Sequence, residues 1–250
     1  MSSGPQSEDG RLSGAQLRAL FQQFTEAVST DKRITQQLMM WSEARRWWRA
    51  KWTDRGTASA ETTFQRCVPN AASAAQDRWV HPVAEEAPEL DAWKTRWNTA
   101  TPEEHDQLAA PFVRALAQIE SDPGSTAEAC AALARAAGGR GLPLAALTPA
   151  LSSLDPSRFV VVCDAWLRAV GQYESAPIPH DIGAYPEINA LAFRWLRAAE
   201  GDAPAPVFDG TSPADRFALF CSWIGRTTND AKARAFDVTR KKYKEWPPMW

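Results

Sequence analysis

Apolar residues recur at three- and four-residue steps along most of this chain, a spacing that places them on one face of a helix. Ser13 can cap the first such segment. Its apolar stripe consists of Leu17, Leu20, Phe21, Phe24 and Val28. Strands would instead alternate apolar and polar residues, and only the short apolar run 159–163 indicates one. We therefore expect a mostly α, multi-helix bundle with at most a minor β segment.

Capping signals mark where several of these helices begin. Residues 101–104 (Thr-Pro-Glu-Glu) form a capping box with proline at the first helical position. Residues 125–128 (Ser-Thr-Ala-Glu) have the same pattern and predict a second capping box. Pro186 and Ser212-Pro213 predict two further starts, because proline fits the first turn of a helix.

Proline-rich stretches divide the chain into parts. The stretch 53–88 is rich in Ala, Ser and Thr and is broken by three prolines, so we expect a connection between two subdomains there. Asp155-Pro156 predicts the end of a helix over 143–154. The predicted organisation is a disordered tail (1–12), an N-terminal Trp-rich helical subdomain (13–98), a second helical subdomain with a hairpin (101–227) and a basic C-terminal segment (228–250).

Charge and cysteine usage exclude several classes of protein. The 28 basic and 30 acidic side chains give a net charge of −2, so nucleic acid could be attracted only through local patches. The four cysteines lack CxxC spacing, which is typical of reduced thiols rather than of a zinc site or a disulfide framework. No apolar run approaches the length of a membrane span, and the polar first dozen residues are no secretory signal. We expect a cytoplasmic protein without membrane contact.

Known catalytic and metal-binding motifs do not stand out in the chain. His81, His105 and His180 are isolated, without HxxxH or HExxH spacing. There is also no G-x-S-x-G motif, no phosphate-binding loop of the Walker type and no dinucleotide-binding fingerprint. We therefore expect no metal and no cofactor, and the sequence favours a binding module over an enzyme.

The most informative local pattern lies at residues 134–145. A helix that ends near Gly138-Gly139 is followed by Arg140, Gly141 and a second helical segment. Glycine lets backbone N–H groups approach a phosphate, and the N-terminus of the following helix is an anion site. The pattern predicts a phosphate-binding hairpin at Gly139, Arg140 and Gly141. An ordinary helix stop and restart would give the same spacing.

Two further runs follow this hairpin, and the three together resemble known DNA-processing proteins. The runs are 154–159 (Leu-Asp-Pro-Ser-Arg-Phe) and 185–189 (Tyr-Pro-Glu-Ile-Asn). Over roughly residues 125–200 the order is similar to the helix-hairpin-helix region of DNA glycosylases. It also looks similar to helical regions that flank the motor domain of modified-cytosine restriction GTPases and related defence ATPases. The resemblance implies DNA contact within a bacterial-type defence or DNA-processing assembly.

Asp164 has two interpretations. In helix-hairpin-helix glycosylases an aspartate in the comparable place is catalytic, so the resemblance implies that Asp164 polarises a water molecule at the sugar. The hairpin has no lysine, so a Schiff-base lyase mechanism would lack its nucleophile. Asp164 also directly precedes Ala165-Trp166-Leu167, which is where a helix N-cap would stand. Both roles stay open at this point.

Two clusters combine basic and aromatic residues. In the second helix an apolar stripe is interrupted by Arg45 and consists of Ile34, Leu38, Trp41, Trp48 and Trp52. The stripe leaves Arg46, Trp47, Arg49 and Lys51 to other faces, where they could bind phosphates or stack on bases. Cations lying over tryptophans that pack helices would have the same composition. The densest positive run contains Arg240, Lys241, Lys242 and Lys244.

Three hypotheses of function follow from these patterns. The first is a non-catalytic helical module, nucleic-acid-binding or adaptor, that grips phosphates through the glycine hairpin and the basic C-terminal segment. The second is a helix-hairpin-helix DNA base glycosylase that uses Asp164. The third is a protein-interaction subunit anchored by exposed tryptophans. The candidate anchors are Trp47, Trp79, Trp246 and Trp250.

Overall fold

The computed structural model describes residues 13–68, 89–136, 141–162, 170, 178, 181–201 and 204–227. These residues form a mostly α, multi-helix bundle, as the apolar spacing predicted, and no strand occurs among them. The α-helices are α1 (Gly14–Thr30), α2 (Lys32–Thr53), α3 (Ala60–Cys67), α4 (Glu89–Thr99), α5 (Pro102–Ser121), α6 (Thr126–Arg135), α7 (Leu144–Leu154), α8 (Tyr185–Glu200) and α9 (Pro213–Thr227). Short 3-10 turns lie at Pro123–Ser125, Ile182–Ala184 and Pro206–Phe208.

Helix starts largely follow the capping signals. The Ser13 hydroxyl accepts a hydrogen bond from the Gln16 amide, and the Gln16 side chain accepts one from Ser13 N. Thr101 and Glu104 form the predicted capping box in the same reciprocal way. The predicted box at residues 125–128 is wrong, because the Ser125 hydroxyl instead donates to the carbonyl oxygen of Asp122 at 2.7 Å. A 3-10 turn precedes Thr126 and turns Ser125 away from the amides of α6.

The stretch 53–88 contains a helix that the sequence reasoning missed. Ser59 caps α3 by accepting a hydrogen bond from the Thr62 amide at 3.1 Å. The helix buries Phe64 and Cys67 against α5 and α2. The remainder of this stretch, 69–88, lies outside the described residues. The predicted connection is therefore shorter than 53–88.

Most of the tryptophans that the structure describes are core residues. Trp48 and Trp52 stack with ring centroids 5.6 Å apart, while Trp97 stacks on Phe64 at 5.0 Å. Burying aromatic rings of this size contributes strongly to the stability of a helical bundle. The buried tryptophans are Trp41, Trp48, Trp52, Trp93, Trp97 and Trp195.

Helix α7 lies inside the bundle. Its sequence from Leu144 to Leu154 carries no charged residue, and ten of its eleven residues are buried. It packs against α2 and α5. A helix that is apolar all round is stable in water only when other elements surround it. The helix predicted over 143–154 is therefore confirmed as a buried helix over Leu144–Leu154.

The predicted β segment is described over residues 159–162, and these residues pair with no strand in the described part of the chain. Its backbone groups are satisfied by side chains: Val162 N donates to the Thr148 hydroxyl at 2.9 Å, and Val160 N donates to Asn189 Oδ1 at 2.9 Å. Tyr185 Oη donates to the carbonyl of Val160 at 3.0 Å. Buried backbone groups need such partners, and here two helices supply them in place of a neighbouring strand.

The ranges 13–98 and 101–227 share one hydrophobic core. Buried residues from Leu17 in α1 to Ile224 in α9 form a single connected cluster. Helix α1 packs on α8, and Arg45 of α2 forms a bidentate ion pair with Asp215 of α9. None of the helices described here is both long enough and apolar enough to span a membrane.

Candidate nucleic-acid interface

The rotation of α2 is fixed by two tryptophans that point into the core. Trp48 Nε1 donates to the carbonyl of Cys67 at 2.8 Å, and Trp52 Nε1 donates to Glu120 Oε2 at 2.8 Å. Because residues one position away lie about 100° around a helix, this anchoring turns Arg46, Trp47 and Lys51 away from the two buried rings. The sequence predicted that these three residues lie off the apolar stripe of α2, and the structure agrees.

Arg46, Trp47 and Lys51 form a basic and aromatic surface on α2. The Arg46 side chain is 79% exposed and pairs with Glu43 at 2.6 Å. Lys51 Nζ lies 3.3 Å from the centroid of the half-buried Trp47 ring. An ammonium group over an indole face is attracted by the negative potential of the ring. The contact holds the charge of Lys51 at a defined place on the surface.

Arg49 has a structural partner. Its guanidinium donates to the carbonyl of Ser153 at 3.0 Å and to the carbonyl of Leu154. These are terminal carbonyls of α7, which have no partner within the helix, and a cation there also complements the helix dipole. Arg49 therefore joins α2 to the C-terminal end of the buried helix.

Helix α3 adds one cation, Arg66, to the same region. Lys51, Arg55 and Arg66 all act electrostatically on the buried Cys67 thiol, each lowering its pKa. Desolvation is the larger effect and raises the pKa of Cys67 to about 12. Arg55 is engaged with Glu120 at 3.0 Å and with the Trp52 ring, whereas Arg66 is exposed. Lys51 of α2, Arg55 in the turn after α2 and Arg66 of α3 therefore all act on the same buried thiol.

We call Arg46, Trp47, Lys51 and Arg66 the α2–α3 surface. Sequence reasoning missed Arg66, because the segment that contains it was interpreted as a connection. A local signal was present: Ser59 stands in N-cap position, and Phe64, Cys67 and Val68 follow at helical spacing. Only the fold shows that this short helix lies beside the second half of α2.

The predicted glycine hairpin is partly described. Gly141 is exposed and has a φ of +79°, which glycine adopts without strain. Gly139 and Arg140 lie outside the described residues. Leu144 and Ala145 in the first turn of α7 are buried, so the terminal amides of this helix do not face solvent. A phosphate would have to be held by Gly139, Arg140 and Gly141 themselves.

Several predicted functional residues lie outside the part of the chain that the structure describes. They are Asp164, Trp79, Arg240, Lys241, Lys242, Lys244, Trp246 and Trp250. Among the described residues, no three His, Cys, Asp or Glu side chains converge as metal ligands would.

The two runs that follow the hairpin meet in the structure. Asn189 Nδ2 donates to the carbonyl of Arg158 at 2.8 Å, and Asn189 Oδ1 accepts from Val160 N. Tyr185 bonds the same backbone segment. Tyrosine and asparagine at the start of α8 therefore hold the chain that leaves α7. These hydrogen bonds give the residues of both runs a structural role in holding the chain after α7.

Comparison with known proteins adds no functional information. The chain matches no protein-family model, no curated protein and no solved structure.

Proposed function

We propose that this chain is a non-catalytic helical module that binds the phosphate backbone of a nucleic acid through the α2–α3 surface. The observation that carries the proposal is that Lys51 of α2 and Arg66 of α3 both act electrostatically on the Cys67 thiol, while Arg46 of α2 is exposed. The resemblance to DNA-processing proteins suggests that the module works within a defence or DNA-processing assembly. Gly139–Gly141 and the basic residues of 240–244 would supply further phosphate contacts.

Local charge density supports binding despite the net charge of −2. Phosphate contacts depend on cations near the backbone, and salt screens charges more than about 8–10 Å away. The Lys51 ammonium is held over Trp47, so less side-chain freedom is lost when it meets a phosphate. Binding of this kind positions a protein on the backbone without reading base sequence.

Glu43 sets a limit on affinity. Its carboxylate already pairs with Arg46, so a phosphate has to compete with it for the guanidinium. An exposed ion pair contributes only about 0.2–1 kcal/mol, so a backbone phosphate can displace it. We expect weak intrinsic affinity that rises when the module is part of an assembly with further contacts.

Fluorescence anisotropy with labelled single-stranded and duplex DNA and RNA tests the proposal. The variant Lys51→Gln/Arg66→Gln removes two charges from the α2–α3 surface. The control Arg194→Gln/Arg197→Gln removes two charges from exposed positions of α8. Each lost phosphate contact should lower the salt slope by about 0.7–0.9, so the first variant should lose up to about twice that. The control should retain the wild-type slope.

Four outcomes are informative. Salt-dependent binding that only the first variant weakens supports the α2–α3 surface. Equal weakening of both variants overturns the assignment of the surface, and loss in a Gly139→Val/Gly141→Val variant alone would move the site to the hairpin. No binding at about 50 mM salt, where phosphate contacts are strong, overturns nucleic-acid binding for this chain. A protein partner would then be sought.

A further inference from the structure

His105 lies where three helices meet. It belongs to the first turn of α5, and its ring contacts α3 and α4. Nδ1 lies 3.0 Å from Glu61 Oε1 of α3, and Nε2 lies 2.8 Å from the carbonyl oxygen of Trp97 in α4. The ring also stacks on the Trp97 indole, with centroids 4.4 Å apart and planes 9° apart. In the sequence this histidine is isolated.

Both ring nitrogens of His105 face oxygen atoms that can only accept hydrogen bonds. A carboxylate oxygen and a backbone carbonyl oxygen carry no proton to donate. A neutral imidazole has one N–H and one bare lone pair, so it can satisfy only one of the two. The imidazolium has two N–H groups and satisfies both. Stacking on Trp97 also favours the cation.

We propose that His105 is a proton-dependent clamp that fastens α3 to α4 and α5. In the protonated form it donates to Glu61 and Trp97 at the same time. Loss of the proton turns one ring nitrogen into an acceptor facing an acceptor, and that contact becomes repulsive. The stabilisation of α3 is therefore present while the ring carries both protons and is lost when one of them leaves.

The charged groups around the ring act in opposite directions. Glu61 of α3 favours the imidazolium and is itself oriented by Gln65 Nε2 at 3.1 Å. Asp106 of α5 lies nearby, since its Oδ1 accepts from Glu61 N at 3.3 Å, and Glu104 of α5 is bound to Thr101 N. The positive end of the α5 dipole disfavours a cation. Helix α4 contributes the uncharged ring and carbonyl of Trp97.

The clamp has a consequence for the α2–α3 surface, because α3 carries both Glu61 and Arg66. Release of the first turn of α3 would loosen the helix that carries Arg66. The inference does not depend on nucleic-acid binding, because its observables are the protonation of one ring and the protection of one helix.

Nitrogen NMR of the full chain tests the clamp directly. The His105 signals are assigned by their loss in His105→Gln, and ring ¹⁵N shifts then report how many N–H groups the ring carries at each pH. Amide-exchange protection factors of α3 are measured alongside, corrected for the intrinsic effect of pH. We expect two N–H groups at low pH and about a tenfold fall in α3 protection once the proton is lost, a ratio typical of one charge-assisted hydrogen bond.

Matched carboxylate variants separate the clamp from general effects of charge. Glu61→Gln should lower the protonated fraction of His105 at pH 7, whereas Glu103→Gln, on an exposed position of the same α5 turn, should change it far less. A His105 ring that carries one N–H at pH 5 would overturn the proposal. So would α3 protection that varies with pH equally in wild type and His105→Gln. If neither of these two results is seen but the protein does not bind nucleic acid, that finding counts against the proposed function and not against the clamp.

Discussion

Charged residues inside the bundle are paired, and they join helices that lie far apart in the chain. Arg45 of α2 pairs with Asp215 of α9, with side chains only 11% and 5% exposed. The next residue, Arg216, pairs with Glu200 of α8 at 2.5 Å and donates to the carbonyl of Thr211. A buried charge is tolerated only when a partner satisfies it. Two neighbouring residues thus attach α9 to two other helices.

Removing one partner of the Arg45–Asp215 pair should destabilise the protein strongly. We expect Arg45→Met or Asp215→Leu to lower the free energy of unfolding by about 3–5 kcal/mol, because each leaves a buried charge unpaired. The double variant Arg45→Met/Asp215→Leu should lose much less than the sum, since no charge remains. Urea denaturation of the three variants measures the coupling. Additive losses would show that the pair does not contribute as a unit.

At the residue scale the sequence predicts which face of a helix a side chain occupies better than it predicts which residue that side chain binds. Helical spacing correctly turned Arg46, Trp47 and Lys51 away from the core, because rotation around a helix is a local property. It could not show that Arg45 meets Asp215 or that Arg49 meets Ser153, since these partners lie 170 and 104 positions away. His105 was missed for the same reason. Its partners come from two other helices.

At the scale of elements, helix ends depend on geometry as well as on residue type. Thr101 and Ser125 occur in similar sequence patterns, yet only the Thr101 hydroxyl accepts from a helix amide. Asp122 accounts for the difference, because its side chain accepts from the Gly124 amide at 2.9 Å and starts a 3-10 turn. Overlapping capping signals thus compete, and the earlier one prevails here.

Substituting the two hydroxyl residues should expose this difference. Thr101→Ala should lower the free energy of unfolding by about 1 kcal/mol, the typical effect of losing an N-cap. Ser125→Ala should lower it by less than half as much, because its hydroxyl satisfies no free helix amide. Urea denaturation of both single variants compares them. Equal losses would mean that Ser125 caps α6 in solution.

Element type was predictable where the apolar stripe was long, and less so elsewhere. Helices α1, α5 and α8 have clear apolar stripes. Helix α3 is too short for a long stripe, and it lies in a stretch rich in Ala, Ser and Thr. The run 159–162 has strand-like residues, but none of the described residues forms a strand beside it. Thr148, Tyr185 and Asn189 satisfy its backbone, an arrangement that no local pattern encodes.

At the scale of the whole molecule, the described cysteines are sealed inside one core. Cys67, Cys130 and Cys221 are buried, and none of the three is part of a disulfide among the described residues. Burial raises the pKa of the Cys67 and Cys130 thiols to about 12, and it raises the pKa of Tyr185 well above its usual value. All three groups therefore stay protonated in the folded protein over a range in which the unfolded chain loses these protons.

The sealed thiols should make the protein sensitive to alkali. A folded pKa above the unfolded one means that stability is fully present below about pH 9 and is lost as pH rises towards 12. Each thiol contributes a slope of up to about −1.4 kcal/mol per pH unit in this window. Urea denaturation of wild type and of Cys67→Ala/Cys130→Ala from pH 8 to 10.5 measures it. An identical slope in both proteins would contradict the prediction.

The pairing of Arg45 with Asp215 also sets an order of events during synthesis. The ribosome releases α2 long before α9, since 170 positions separate the two residues. Until then the Arg45 guanidinium lacks the carboxylate that makes its burial tolerable. Arg49 likewise lacks its partner, the carbonyl of Ser153, until the end of α7 has been synthesised. Nascent chains that end before residue 215 therefore expose an incompletely matched surface, on which chaperones would act.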